Sequence, residues 1–233
     1  MADIYQAISR TVIGLLNDEP FFAHLLGSIP REISDRTQTV GLELNSFGPR
    51  LLINEQYYLK TLRSESQRRA VIKHEALHVA FSHFCRGSGT QIKDLLDIAA
   101  DLVVNQFVRA SSLPDDAVTL ATFPELQLKP NDTLENYYAA LSKHYTPDMS
   151  QSAQSSTGTG NGEEADSGEG GAQQDNRQSG ATAETLYRVL QQPRHGDHQY
   201  WGTADKATTY AVENLLIRAR ERTPVKDWGT IPC

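Results

Sequence analysis

VIKHEALHVAFSH, residues 71–83, sets three histidines and a glutamate in a run that is otherwise mostly apolar. Read as a helix at about 100 degrees per residue, His74 and His78 fall one turn apart on one face, with about 40 degrees of arc between them. Their ring nitrogens can converge on a single ion. Glu75 stands on the flank of that face, close enough to hold a water beside an ion without ligating it. This is the H-E-x-x-H arrangement, in which two histidines bind Zn2+ and the glutamate is the general base. Val71, Ile72, Leu77, Val79, Ala80, Phe81 and Phe84 make the helix apolar nearly all round. Imidazoles in such a setting cost stability unless they are paired or bound. His83 lies about 180 degrees from His74 on a regular helix, so it reads as structural or substrate-side rather than as a ligand.

A zinc site needs a third protein ligand, with the fourth position left to water when the site is catalytic. The next helix pattern, IKDLLDIAADLVVNQFVRA at 92–110, offers one. Asp94, Asp97, Asp101 and Asn105 fall within about 80 degrees of arc, and Leu95, Leu96, Ala99, Leu102, Val103 and Phe107 cover most of the remainder. Folded back on the histidine helix, this polar stripe faces His74 and His78. Asp101, in the most apolar stretch, is the preferred ligand, with Asp97 and His83 as the alternatives. Asp97 and Asn105, one turn to either side, suit positions behind the ligands, accepting a histidine N–H or fixing the carboxylate.

Outward from these helices, Ser64 and Gln67 have capping-box spacing, and a helix runs from there to about Cys85, where RGSGT at 86–90 ends it. TVGLEL at 39–44 alternates as a half-buried strand, and SFGP turns the chain into RLLIN at 50–54, which predicts a hairpin. Residues 3–26 read as one or two amphipathic helices, broken or bent near Pro20, and NDTLENYYAALSKHY as a helix capped by Asn131 or Asp132. The fold class is therefore α+β, mainly helical, with a small β-hairpin or edge sheet beside the H-E-x-x-H helix. Residues 1–147 make the domain core. From 148 to 183 the chain is Ser, Gly, Gln, Asn and acid, too poor in apolar surface to offset its ordering entropy, and reads as a disordered linker or insertion. Residues 184–233 form a helical C-terminal segment that packs on the core or leads into a further domain. Within it HGDHQYWG, with His195, Asp197 and His198, reads as packing and capping in preference to a second small metal site. The end at VKDWGTIPC, without a polar tail, points to more protein beyond Cys233.

Composition narrows the classes. A net charge of -7 and a pI near 5.5, with no basic stripe, argue against nucleic acid and anionic membranes as partners. No run approaches the roughly 18 apolar residues of a spanning helix, and Asp3 stands where a signal peptide carries a base. Two distant cysteines, Cys85 and Cys233, make no framework, so a reducing cytoplasm fits best.

HEALHVAFSHFCRG followed by LLDIAADLVVNQF, and preceded by RLLINEQYYLKTL, resembles the H-E-x-x-H metallopeptidase domain that accompanies von Willebrand factor A-like domains in bacterial and phage proteins. The similarity is strong over residues 39–110; His74, Glu75, His78, His83, Arg86, Asp101 and Asn105 match its pattern, and HGDHQYWG resembles it too. The resemblance implies a zincin-like fold and, for relatives with the second domain, partnership with an AAA-type ATPase. The expected activity is Zn2+-dependent hydrolysis of peptide bonds in a polypeptide substrate. Zinc sits on His74, His78 and Asp101, and Glu75 takes the proton of the activated water and passes it to the leaving amine. The strand at 39–44 or 50–54 forms the cleft edge, and Tyr57, Tyr58, His83 and Arg86 are candidate oxyanion partners. The alternative is a non-catalytic adaptor in which a fully coordinated zinc staples two helices.

Overall fold

The computed structural model describes residues 3–86, 91–145, 172–192, 195–199, 201 and 205–224, the side chains of 172–180 and 197 excepted. Asp3 accepts the amide of Tyr5 and starts helix α1 (Ile4–Asp18). Pro20 then occupies the first turn of α2 (Pro20–Ser28), where its missing N–H costs no hydrogen bond. Of the break or bend expected near Pro20, the structure has the break, a junction between two helices.

A short strand follows, β1 (Arg31–Ile33), ahead of β2 (Val40–Asn45) and β3 (Gly48–Ile53). β2 and β3 form the expected antiparallel hairpin, in register from Val40↔Ile53 to Asn45↔Gly48. Gly48 sits at φ +113, a conformation that side chains disfavour, and an added Cβ would meet Ala211 at 3.3 Å. β1 pairs parallel with β3. β4 (Gly196–Asp197) pairs parallel with the free edge of β2, so the sheet order is β1-β3-β2-β4. Three residues of β1 and two of β4, drawn from opposite ends of the chain, carry no alternation long enough to be recognised in sequence.

Between the sheet and the central helix the chain makes a π-helical turn, Tyr57–Thr61. Arg68 donates to the carbonyls of Tyr58, Leu59 and Leu62, which satisfies the backbone this turn leaves open. Tyr58 donates to Thr11 Oγ1 (2.7 Å), which in turn donates to Glu65 (2.7 Å), tying the turn to α1 and to the start of α3 (Glu65–Ala80). Ser64 caps α3 by accepting from the amide of Gln67, while the Gln67 side chain accepts from Arg63 rather than from Ser64 itself. α3 ends at Ala80, short of the expected Cys85, because Ser82 turns left-handed (φ 52) and His83–Cys85 follow as a 3-10 turn.

α4 (Lys93–Val104) folds back along α3 and packs on α5 (Leu134–Ser142). The α5 cap is Thr133, which accepts from the amide of Asn136; Asn131 is left-handed and Asp132 instead accepts from Thr133 N–H. The expected linker lies outside the described residues as far as 171. From Ala172 on the backbone is α6 (Ala172–Gln191), whose Leu186 and Val189 are buried. Alanine, glutamine and arginine are strong helix formers, and they carry the helix upstream of this apolar anchor. α7 (Lys206–Arg222), capped by Asp205, packs on α2 and β3. α6, β4 and α7 therefore complete the same core as residues 3–145.

Candidate metal centre

Nearly the whole circumference of α3 is buried from Ala70 to Val79, polar residues included. His74, Glu75, His78 and Asp101 each have no exposed surface. The fold makes this arrangement compulsory: α3 lies between the sheet and α4, so its polar face has no route to water and must be satisfied internally.

That face meets the polar stripe of α4. His74 Nε2 and His78 Nε2 stand 2.9 Å apart, and Asp101 Oδ1 lies 3.3 Å from the first and 3.4 Å from the second. A fourth group joins them from outside both helices. His198, just past β4, is 2 % exposed and places Nε2 3.5 Å from Asp101 Oδ1. One donor atom from each of His74, His78, Asp101 and His198 lies within 4.8 Å of all the others. Four donors held 2.0–2.1 Å from one ion in a tetrahedron stand about 3.3 Å apart. The measured separations bracket that value.

The surrounding hydrogen bonds orient the rings. His74 Nδ1 is 2.8 Å from Asn105 Oδ1, and Asn105 Nδ2 donates to the Val118 carbonyl (2.8 Å), which fixes the amide so that its oxygen faces the ring. His74 therefore carries its proton on Nδ1 and turns a bare Nε2 lone pair inward. His195 Nε2 also approaches His74 Nδ1, at 3.2 Å. His78 Nδ1 meets His83 Nδ1 at 3.1 Å; with His83 accepting, His78 Nε2 is bare as well. The break at Ser82 brings His83 back to His78, where a continuous helix would have carried it to the far side.

Electrostatics favour a cation here. Burial, then repulsion from His74, pushes the pKa of His78 down to about 4, so its imidazole is neutral near pH 7, as a metal ligand must be. Burial and the nearby His78 likewise lower His83 well below the ordinary histidine range. For Asp101, burial alone would raise the pKa, but His198, His74 and His78 outweigh it and hold the carboxyl well below the usual range. An anionic carboxylate and three imidazoles converging in a dry pocket are a donor set that could hold a metal ion.

Other candidates take varied places. Asp97 accepts from Lys93 (2.7 Å) and lies 3.9 Å from His198 Nδ1, behind the histidine that sequence reading had not put at this site. Arg86 stays outside the cluster and pairs at the surface with Glu135. Tyr58 is committed to Thr11, away from the donors. Tyr57, 8 % exposed, has a buried hydroxyl with no hydrogen-bond partner among the described residues. Burial, then the charges of Asp116 and Glu75, raises its pKa. His195 and His198, expected to pack and cap, instead lie at the α3–α4 cluster, His198 as one of its four donors. The available signal was the resemblance of HGDHQYWG to the same family as the H-E-x-x-H helix.

An α+β fold with an H-E-x-x-H helix backed by an acid-bearing helix defines a metallopeptidase-type domain, with a buried cluster that could hold a metal ion. The chain belongs to the family described as "Putative metallopeptidase domain", whose model matches residues 3–221. No curated protein and no solved structure matches it. Among the described residues, no helix is long and apolar enough to cross a membrane.

Proposed function

We propose that the protein is a zincin-like, Zn2+-dependent peptidase whose metal is held by His74, His78, Asp101 and His198 and whose general base is Glu75. One observation carries the reading: Glu75 is fully buried beside the four donors without being one of them. A site built only to staple helices has no need of a further buried carboxylate, which is costly to desolvate. Bound there, zinc supplies Lewis-acid polarisation of a carbonyl and acidifies water toward a pKa of about 7. The chain's own residues supply the rest. Asn105 and His83 hold the two α3 imidazoles in the ligating tautomer. Glu75 accepts a proton from water and returns it to the leaving amine. Of the four oxyanion candidates, Tyr57 is best supported, because its hydroxyl is a buried donor with no acceptor among the described residues and feels the charge of Glu75. It also lines a cleft of about 400 Å³ that reaches Thr39 at the start of β2. A polypeptide substrate and a reducing, cytoplasmic setting belong to the same reading.

A second reading is favoured by the fourth donor. Four protein ligands close a tetrahedral shell, as in structural zinc sites, and would make the chain a zinc-stapled adaptor working with an AAA-type ATPase. Elemental analysis of protein purified without added metal, followed by assay of Glu75→Gln against a mixed peptide library, separates the two. The peptidase reading expects one zinc per chain in both proteins and cleavage in the parent only. Cleavage that survives Glu75→Gln would sink it.

A further inference from the structure

We propose that the chain's own segment 195–198 is a resident occupant of the substrate groove: β4 takes the place of an extended peptide on the edge of β2, and His198 takes the metal position that a hydrolase leaves to water. The inference rests on the peptidase reading and specifies how that site is regulated and where its substrate lies.

Three independent observations converge on this segment. The first is the sheet edge. β2 is bonded to β3 on one side, and on the other its Val40 and Gly41 pair with Gly196 and Asp197. An extended polypeptide recognised by strand addition needs exactly such an edge, with main-chain hydrogen bonds supplying affinity. The Val40↔Gly196 register sets His195 beside Thr39, which also lines the Tyr57 cleft.

The second is the space between base and donors. A Cβ on Gly196 would lie 2.8 Å from His74 Nε2, 3.0 Å from His198 Nε2 and 3.1 Å from Glu75 Oε1. The backbone at 196 therefore fills the gap between Glu75 and the donor cluster, where a scissile peptide and its water have to sit. Only glycine allows so close an approach.

The third is how the segment is held. Its attachments include two register pairs to β2, Lys93 Nζ on the His198 carbonyl (2.8 Å), His195 Nε2 beside His74 Nδ1 (3.2 Å), and Trp201, stacked on the His198 ring at 4.0 Å between centroids. His74, His78 and Asp101, by contrast, are built into helices whose burial is continuous with the core. Departure of the segment would leave the other three donors in their helices. Activation is then displacement of 195–198 from β2, and the groove it vacates is the binding site for an extended polypeptide.

The test uses the full chain loaded with Co2+, whose visible absorption reports ligand number, with acetohydroxamate as the probe. The parent should hold one Co2+ per chain and respond weakly to the probe. His198→Ala should keep the metal and bind the probe at least about tenfold more tightly, since apparent affinity scales with the open fraction. Peptide hydrolysis should rise in parallel. Gly196→Ala, which keeps all four donor side chains but drives its methyl into His74, His198 and Glu75, should displace the segment and open the site in the same direction. Equal probe affinity in parent and both variants would overturn the proposal and leave the peptidase reading standing. Loss of the metal from His198→Ala, with the parent loaded, would also overturn it, since His198 would then be an obligatory ligand. Variants that take the probe but cleave no peptide in a mixed library would uphold the displaced segment and overturn the peptidase reading alone.

Discussion

The four donors of the candidate metal centre come from two kinds of structure. His74, His78 and Asp101 project from α3 and α4, long helices whose remaining surface is core. His198 projects from a stretch that meets the sheet through two residues. All four are equally buried, yet burial has different sources: the helical donors are dry because the protein folds around them, and His198 is dry because it lies over them. Equal burial therefore does not imply equal permanence. Donors placed by helix–helix packing can be lost only with the fold, whereas a donor placed by a short edge strand can be lost alone.

Five substitutions would break or sharpen that contrast. The largest effect is expected from Glu75→Gln, made in a chain already opened by His198→Ala: hydrolysis should fall by about 10²- to 10⁴-fold, the usual worth of a general base, while zinc content measured on the same sample stays unchanged. Asp101→Ala comes next. Zinc affinity, read by competition with a chromophoric chelator, should drop by more than about 100-fold, because even residues behind the ligands cost 10- to 100-fold. His198→Ala should cost distinctly less, and equal losses would erase the distinction between the two kinds of donor. Asn105→Ala removes the closer partner of His74 Nδ1, leaving His195 beside it, and should weaken zinc by about 10- to 100-fold without altering probe access. Smallest is Lys93→Met, which removes the hydrogen bond to the His198 carbonyl. At about 1 kcal/mol, it should raise acetohydroxamate access about fivefold at unchanged metal stoichiometry; no change would show that the segment is held by other contacts.

The helices that carry the site were legible because their signals are local. Periodicity alone places His74 with His78 and aligns Asp97, Asp101 and Asn105, and the hairpin follows from alternation interrupted by a glycine turn. Local reading failed where one residue changes the path. Ser82 adopts a left-handed conformation that costs roughly 1–2 kcal/mol, and nothing in HVAFSHFC announces it, so the helix was extended too far and His83 was assigned to the wrong face. It failed again at α5, where three consecutive cap-type residues compete and the third, Thr133, holds the position.

By itself the sequence determined the H-E-x-x-H helix, the acid stripe that answers it, the α+β class and the family expectation, all carried by residues within a few turns of one another. Only the tertiary structure decided that His195 reaches His74 from 121 residues away and that His198 completes the cluster. The physical reason is that a two-residue parallel strand is specified by the edge it lands on, and an edge left open by β2 exists only after the hairpin has formed and α3 has packed beneath it.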